Sequence, residues 1–381
     1  MRYPGEWEPH ERTLMAWPCR KELWGPTLEQ ARRDYAYVAN AIADFEDVTL
    51  IAGCDDDARA ARAACTGRVE MLKLPIDDSW LRDNGPIYVV TGDEVVPATG
   101  TGRGARRPDG ARAQDQAAGR HGDHEAAAHT GSSLQSGALP ARPAPGRPAS
   151  RERVAVHFGF NAWGGKFTPW DRDAQVGALI ARHLGDELLS ADLVLEGGSV
   201  VSDGSGTVLT TEQCLLAGNR NPSLSRAEIE EALTGYLGAQ RIVWLGSGLA
   251  EDRDTDGHVD LIAAFTPDHR VLMQGVQDGN PNAEAVAENV ERVADAGFEH
   301  LLIPLLPYTK VAGETVAVSY LNLYVCNGAV ITPVSGHEFD EEALSIIGGA
   351  FPGRSVVPVP GATLAYGGGG PHCITQQVPA R

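Results

Sequence analysis

Short apolar strands and amphipathic helices alternate along most of this chain, and this alternation restricts the fold more than any other feature of the sequence. The order strand, strand, helix, strand recurs loosely several times, although no repeat of fixed length is visible. Such alternation predicts an α/β fold. With 381 residues the chain exceeds what one hydrophobic core usually serves, so we expect either two domains or one large pseudo-repeated domain.

Apolar periodicity and β-branched runs place the predicted elements. Helices are predicted over 28–45, 55–64, 176–184, 226–237, 283–296 and 341–350. Strands are predicted over 48–53, 69–74, 87–90, 154–158, 193–195, 207–210, 241–245, 259–265, 300–304, 320–325, 329–333 and 355–359. Ser225, followed three residues later by Glu228, is typical of a capping box at the start of a helix.

Residues 99–150 interrupt the alternation with a change of composition. The segment has no aromatic residue, Val, Ile or Lys, and two leucines are its only large aliphatic residues. It cannot bury enough apolar surface to offset the entropy of ordering, so we interpret it as a disordered, low-complexity insertion rich in Arg, Ala, Gly and Pro. Its histidines His121, His124 and His129 are candidate metal ligands, but the composition favours a solvated loop.

The charge and the cysteines exclude several classes of function. A formal net charge of −19 repels nucleic acid and anionic membranes and favours cationic ligands. No apolar run approaches membrane-spanning length, and the N-terminus lacks the apolar core of a signal peptide. The six cysteines show no CxxC spacing, which is typical of reduced thiols rather than of disulfides or a zinc site. We therefore expect a cytoplasmic protein.

Cys373 follows four consecutive glycines at 367–370, close to the C-terminus. Glycines bury no side chain and cost backbone entropy, so such a run indicates a loop shape or a close approach that only glycine allows. Cys373 is therefore the candidate nucleophile. The adjacent His372 is a poor partner for its thiol, because neighbouring side chains on extended backbone point apart.

His258 and Asp260 form a second candidate group at the start of a predicted strand. Residues two apart on a strand share a face, so an imidazole is expected beside a carboxylate. Half of a metal site is an alternative, but no second histidine lies at ligand spacing in the ordered chain, which disfavours a metal. A satisfied surface histidine is the simplest alternative.

Two further carboxylates lie in turns beside apolar residues. Glu196 ends an apolar run and precedes two glycines, and Asp83 ends an acidic segment that surrounds Trp80. Carboxylates and an aromatic face both attract cations, although turn carboxylates in solvent and a core tryptophan are the alternatives. Together a thiol, an imidazole and several carboxylates favour a substrate that is both electrophilic and cationic, such as a guanidinium.

On these residues the chain resembles the agmatine deiminase family of guanidine-modifying enzymes. The matching stretches span nearly the whole chain outside 99–150 and are GEWEPH at 5–10, DSWLRD at 78–83, FNAWGGK at 160–166, LEGGS at 195–199, NRNP at 219–222, TDGHVD at 255–260 and HCITQQ at 372–377. The resemblance implies the pentein fold, an α/β-propeller of pseudo-fivefold ββαβ modules. It also implies that residues 1–381 form one catalytic domain interrupted by the insertion.

The resemblance further implies roles for individual residues. Cys373 is then the nucleophile, and His258 is the general acid and base with Glu196 beside it. Asp83 and Asp260 are then the carboxylates that hold the guanidinium nitrogens. The implied reaction converts agmatine to N-carbamoylputrescine and ammonia through a covalent amidino-thioether-like intermediate. No metal or organic cofactor is implied.

The far end of the substrate separates agmatine from arginine, because agmatine carries an amine and no α-carboxylate. Trp80 and Asp254 are expected to meet that end, and the family often has Glu at the position of Asp254. Homodimerisation is implied by the resemblance as well. Alternatives stay open: a deiminase of arginine or peptidyl-arginine, an amidinotransferase, and a non-catalytic polyamine-binding protein that uses the acidic pocket alone.

Overall fold

The computed structural model describes residues 1–91 and 152–381, so the predicted insertion at 99–150 and its three histidines lie outside the described residues. The strands are β1 (His10–Ala16), β2 (Asp47–Ala52), β3 (Val69–Lys73), β4 (Ile87–Thr91), β5 (Glu152–Gly159), β6 (Glu187–Val194), β7 (Val201–Ser202), β8 (Thr207–Thr211), β9 (Arg241–Leu245), β10 (Ala263–Phe265), β11 (Val271–Gln274), β12 (His300–Ile303), β13 (Tyr308–Val311), β14 (Glu314–Ala317), β15 (Tyr324–Cys326), β16 (Ala329–Val334), β17 (Ser355–Pro360) and β18 (Thr375–Pro379).

The helices of the same residues complete the list of elements. They are α1 (Lys21–Trp24), α2 (Leu28–Ala43), α3 (Asp55–Ala64), α4 (Leu81–Asn84), α5 (Ala162–Gly165, a single turn), α6 (Asp173–Leu184), α7 (Glu212–Leu215), α8 (Arg226–Leu237), α9 (Ala283–Asp295), α10 (Asp340–Ala350) and α11 (Ala362–Tyr366). Short 3₁₀ helices lie at Gly25–Thr27, Gly197–Ser199 and Val259–Leu261.

A unit of strand, strand, helix and strand repeats along the described residues. In each unit an antiparallel pair of strands is followed by a helix and by a third strand parallel to the second, as in β4–β5–α6–β6, β7–β8–α8–β9, β10–β11–α9–β12 and β15–β16–α10–β17. A further unit, β18–β1–α2–β2, takes its first strand from the C-terminus. The α/β architecture and the ββαβ order expected for a pentein fold are therefore confirmed.

Two elements stand outside this repeat. β3 adds a parallel strand to the sheet that contains β1 and β2, and β13 pairs with β14 as a separate hairpin. Among the described residues, no helix combines the length and the apolar character needed to cross a membrane.

The predicted helix period places the core as expected. The face of α2 formed by Tyr35, Val38, Ala39 and Ile42 is fully buried and belongs to the same apolar cluster as residues of β2. The capping box at the start of α8 is also present, because the Ser225 side chain accepts from the Glu228 N–H and the Glu228 carboxylate accepts from the Ser225 N–H.

The predicted strand over 259–265 was wrong in its first half. The chain forms a 3₁₀ helix at Val259–Leu261, and β10 begins only at Ala263, so His258 and Asp260 do not share the face of a strand. Two residues before the helix have positive φ, 63° at Asp256 and 91° at Gly257. The Asp252 carboxylate accepts the backbone N–H of Gly257 at 2.8 Å, which holds this turn in place of a ladder hydrogen bond.

The C-terminal strand is predicted to be an integral part of the fold. Leu14 of β1 is fully buried against a cluster that includes Val378 of β18, so Leu14→Ala should lower the free energy of unfolding by about 2–5 kcal/mol. Equilibrium unfolding in urea measures the loss. The control is Leu302→Ala in β12, whose side chain is 41% exposed and should change stability by no more than about 0.5 kcal/mol. Equal losses in the two variants would contradict this packing.

Candidate active site

The five connections between the ββαβ units each carry a polar side chain toward one buried region. In chain order these side chains are Asp83 before β4, Glu196 before β7, His258 before β10, Asn322 before β15 and Cys373 before β18. All are at most 4% exposed. The repeat therefore gathers residues from distant parts of the sequence into one cluster.

The Cys373 thiol is held by an amide and a carboxylate. The Asn322 side chain donates from Nδ2 to Sγ at 3.1 Å and accepts the Cys373 backbone N–H at 3.2 Å. The thiol itself lies 3.4 Å from Asp260 Oδ2, to which it donates. Burial raises the pKa of Cys373 well above its ordinary value, and the charges of Asp260 and Asp83 raise it further. As long as no cationic substrate is bound, the sulfur is therefore a protonated thiol at neutral pH.

His258 lies between two carboxylates. Its Nδ1 is 3.8 Å from Asp83 Oδ1 and its Nε2 is 3.8 Å from Glu196 Oε2. Burial alone would lower the pKa of His258, but the charge of Asp83, followed by the neighbouring Cys214 and Glu196 side chains, outweighs burial and raises this pKa well above its ordinary value. The imidazole is therefore charged at neutral pH and has a proton to give.

Asp83 accepts hydrogen bonds on both carboxylate oxygens. Oδ1 accepts the Gly198 N–H at 2.9 Å, and Oδ2 accepts the indole N–H of Trp163 at 2.9 Å. Burial raises the pKa of Asp83 to about 6, with His258 opposing this shift and the nearby carboxylates adding to it. The carboxylate is thus fixed in position and costly to keep charged, which favours a cation at its side.

Trp163 owes its position to an unusual backbone. All four residues of α5 have positive φ, with 54° at both Ala162 and Trp163, so α5 is one left-handed turn. A left-handed residue with a Cβ costs roughly 1–2 kcal/mol. The Asn161 side chain accepts the Gly164 N–H at 2.8 Å and stabilises the turn. This strained turn directs the indole N–H at Asp83.

Asp260 is oriented by His372, which in turn contacts Glu6, and neither residue is among the site residues predicted from the sequence. His372 Nδ1 lies 2.8 Å from Asp260 Oδ2, and His372 Nε2 lies 2.7 Å from Glu6 Oε1. Burial would raise the pKa of Asp260, but the bond with His372 outweighs it and lowers this pKa. His372 points away from the Cys373 thiol, as expected for adjacent residues, yet it fixes the carboxylate that the thiol contacts. The matching stretches at 5–10 and 372–377 contained both Glu6 and His372 as a signal.

Glu196 is buried as an ion pair. Its Oε1 accepts from Arg220 Nε at 2.6 Å, and both side chains are fully buried. Burial would raise the pKa of Glu196, but His258 and Arg220 outweigh it and lower this pKa. Ligand atoms of Glu196, Cys214 and His258 lie within 4.8 Å of one another, so these three residues could hold a metal ion. Histidine spacing, the usual sequence signal of a metal site, does not point to Cys214.

A cavity opens onto the thiol. Its lining includes four of the predicted site residues, Trp80, Asp83, Asp254 and Cys373. The Trp80 ring stacks on Trp24 with centroids 5.8 Å apart, which holds one wall of the cavity. The other three predicted residues, His258, Glu196 and Asp260, connect to this set through the contacts given above.

The glycine run lies against the site as the sequence predicted. A Cβ added at Gly369 would lie 2.8 Å from Cys373 Sγ and 2.9 Å from the Trp80 ring. Gly368 has a φ of 105°, and a Cβ there would lie 2.8 Å from the Asp254 carboxylate. The close approach that only glycine allows is therefore confirmed at two positions.

Comparisons with known proteins agree with one another along the whole chain. The model of the Porphyromonas-type peptidyl-arginine deiminase family matches residues 2–379. The agmatine deiminase of Pseudomonas aeruginosa (strain LESB58) is 34% identical over 414 residues, covering 100% of this chain and 95% of its own. That of Stutzerimonas stutzeri (strain A1501) is 33% identical over 407 residues, covering 99% and 95%. The solved agmatine deiminase of Enterococcus faecalis has a TM-score of 0.80 at 28% identity, covering 100% of this chain and 96% of its own.

The electrostatics of the site predict that a cationic reagent reacts faster with Cys373 than a neutral one of the same shape. An amidinium beside Asp83 and Asp260 offsets the charges that raise the thiol pKa, so more thiolate is present. At pH 7, chloroacetamidine should alkylate Cys373 at least about tenfold faster than chloroacetamide, since one pKa unit is a tenfold change in thiolate. Mass spectrometry of the peptide that carries Cys373 follows both reactions.

The ratio of the two rates should fall in Asp83→Asn, because one of the attracting charges is gone. The exposed Cys54 in the same protein is the internal control, since it lies outside the site and should not distinguish the two reagents to the same extent. Equal rates at Cys373 with both reagents would contradict the electrostatic account.

Proposed function

We propose a function for this chain from the premise that it belongs to the Porphyromonas-type peptidyl-arginine deiminase family. It is an agmatine deiminase, a hydrolase that acts on a C–N bond of a guanidinium and converts agmatine and water to N-carbamoylputrescine and ammonia. The observation that carries this conclusion is a buried thiol and imidazole surrounded by carboxylates at one cavity. Such a reaction belongs to polyamine biosynthesis or to the breakdown of arginine-derived amines.

The first half of the reaction forms a carbon–sulfur bond. Asp83 and Asp260 hold the guanidinium nitrogens, and the bound positive charge favours loss of the Cys373 proton, because both carboxylates raise the thiol pKa in the free protein. The thiolate then attacks the central carbon. His258, which is charged, gives its proton to one nitrogen, and ammonia leaves as the C–N bond breaks. A thiouronium-type intermediate remains on Cys373.

The second half returns the enzyme to its starting state. His258, now neutral, takes a proton from a water molecule, and the resulting hydroxide adds to the same carbon. Collapse of this adduct breaks the carbon–sulfur bond: the sulfur leaves with the electron pair and takes the hydroxyl proton, which restores the thiol, and N-carbamoylputrescine is released. Glu196 beside His258 Nε2 stabilises the charged imidazole, and Arg220 fixes Glu196. We propose no metal or organic cofactor, because each step uses a group already at the site.

The lining of the cavity favours agmatine over arginine. The lining residues, all within the described ranges, include no lysine or arginine that would pair with an α-carboxylate. They do include Asp254, whose pKa burial raises, so a cation at its side would be favoured. Apolar and aromatic walls suit the four methylenes of agmatine.

Several features outside the site belong to the same proposal. We propose that residues 1–381 act as one catalytic domain in the cytoplasm and as a homodimer. The net charge of −19 supports the view that neither nucleic acid nor an anionic membrane is a partner. Sedimentation of the full chain distinguishes a dimer from a monomer.

Ammonia release is predicted to separate the candidate functions. Agmatine should be turned over with a kcat/KM at least about 100-fold above that of arginine or of a peptide with a terminal arginine. The reason is that the carboxylate of arginine would lie near buried acids without a cation to pair with it. A 100-fold difference corresponds to about 2.8 kcal/mol, since each factor of ten is about 1.4 kcal/mol. Cys373→Ser should release no ammonia while still binding agmatine. Ammonia release from Cys373→Ser would contradict the covalent mechanism, and agmatine binding without ammonia release by the unmodified chain would favour a polyamine-binding protein.

A methyl group next to the nucleophile is predicted to disturb the reaction. Gly369→Ala adds a Cβ less than 3 Å from both Cys373 Sγ and the Trp80 ring. These side chains must therefore shift to make room for it. A displacement of about 1 Å at a reacting group can cost on the order of 100-fold, and kcat/KM on agmatine should fall by that amount. Gly218→Ala is the matched control, because an added Cβ there meets nothing within 4 Å. Equal activity of both variants would show that the close approach has no role.

A further inference from the structure

Cys214 is a buried thiol at the site that the reaction above does not use. It lies in α7 and is fully buried, and its backbone N–H is donated to the Thr211 hydroxyl at 3.2 Å. This bond fixes the start of the short helix and therefore the position of the sulfur. Ligand atoms of Cys214, Glu196 and His258 all lie within 4.8 Å of one another.

Glu196 Oε2 and His258 Nε2 face each other as a loose ion pair, 3.8 Å apart. Neither atom makes a hydrogen bond among the residues that the structure describes, and both side chains are fully buried. The other oxygen of Glu196 is already occupied by Arg220. Buried polar atoms normally make hydrogen bonds, so an oxygen and a nitrogen held apart at this distance beside a thiol indicate a place for an electrophilic ion between them.

The donor set defines the class of that partner. An imidazole nitrogen, a thiolate sulfur and a carboxylate oxygen are the ligand types of Zn²⁺, with bonds of about 2.0–2.3 Å that place neighbouring ligand atoms roughly 3.5 Å apart. Glu196 Oε2 and His258 Nε2 are 3.8 Å apart, so small side-chain rotations bring the three atoms to that spacing. Asp83 Oδ1 lies 3.8 Å from the other ring nitrogen, His258 Nδ1, so the ring is flanked by carboxylates on both nitrogens.

We propose that Glu196, Cys214 and His258 form an inhibitory site for a zinc-like divalent transition-metal ion. An ion at this site replaces the protons on His258 Nε2 and Cys214 Sγ, which are released to solvent, and also binds Glu196 Oε2. It thereby removes the acid, the base and the group that stabilises them. The inhibition rests on the proposed function, whereas the binding of the ion does not. The nucleophile Cys373 is not one of the ligands.

Metal binding is tested without catalysis in the Cys373→Ser protein. Titration with Co²⁺ should produce a sulfur-to-cobalt charge-transfer band in the near ultraviolet, and X-ray absorption of the Zn²⁺ form should show one sulfur with nitrogen and oxygen ligands. Adding Cys214→Ser should abolish the band and weaken Zn²⁺ binding in equilibrium dialysis at least about tenfold. Cys326→Ser in the same background is the matched control, because Cys326 is a buried cysteine of β15 and should leave the band unchanged.

The X-ray absorption result keeps the proposal testable even if Cys214→Ser does not fold. Zn²⁺ bound by nitrogen and oxygen alone, a cobalt band that survives Cys214→Ser, or no binding of Zn²⁺ to the Cys373→Ser protein would each overturn the site.

Inhibition is tested in the chain with Cys373 intact. Zn²⁺ should stop ammonia release from agmatine, and EDTA should restore it. Relative to its own metal-free rate, Cys214→Ser should require at least about tenfold more Zn²⁺ for half-inhibition. The same half-inhibiting concentration in both proteins would show that the ion acts at Cys373 and would overturn the proposal. Zn²⁺ binding at Cys214 in a chain that releases no ammonia even without metal would instead leave the site standing and reject the deiminase function.

Discussion

The burial of several carboxylates around one thiol is the interaction on which the rest of this structure depends. Asp83 and Asp260 are almost fully buried, and both raise the pKa of Cys373. Buried negative charge of this kind is costly unless a cation accompanies it. In the proposed reaction a bound guanidinium supplies that cation and the electrophile in one group, so binding of the substrate also activates the thiol. The negative charge of the cluster is therefore by itself complementary to a cationic substrate.

The fold supplies this cluster by repetition. Each ββαβ unit ends in a connection that turns toward the same region, and each connection carries one of the polar side chains. β18 begins two residues after Cys373 and pairs with β1, so this pairing fixes the C-terminal segment that carries the thiol against the N-terminal strand. Local strain then adjusts single groups, as the left-handed turn at Ala162–Gly165 does for the indole that contacts Asp83. Such strain is tolerated where the surrounding structure fixes it.

The sequence predicts some parts of the site for clear physical reasons. The glycine run made Cys373 the candidate nucleophile, because four glycines indicate a loop shape or a close approach that only glycine allows, and the structure contains such an approach beside the thiol. Glu196, which ends an apolar run, is fully buried, so the alternative of a turn carboxylate in solvent is wrong. The alternation of strands and helices predicted the architecture, since that pattern is local. These features share one property: the signal lies within a few residues of the group it concerns.

The remaining parts depend on contacts between distant segments. The turn before His258 is held by the carboxylate of Asp252. The local apolar pattern does not record this contact, and the strand that it predicts from residue 259 is therefore wrong at its start. His372 and Glu6 are 366 residues apart in sequence, and no local pattern joins them. Asn322 has no signal of its own, and it becomes visible only because the connection before β15 carries it to the thiol. The stretches that match the family include Glu6 and His372, but they do not show which side chains these residues contact.

The covalent intermediate tests the central claim most directly. The protein is mixed with agmatine, quenched in acid during turnover, and measured by intact mass and then by peptide mass. The account predicts an added mass equal to agmatine less ammonia, located on the peptide that carries Cys373 and absent after turnover is complete. Ammonia release with no adduct at any time of quenching, or an adduct on a different residue, would contradict it.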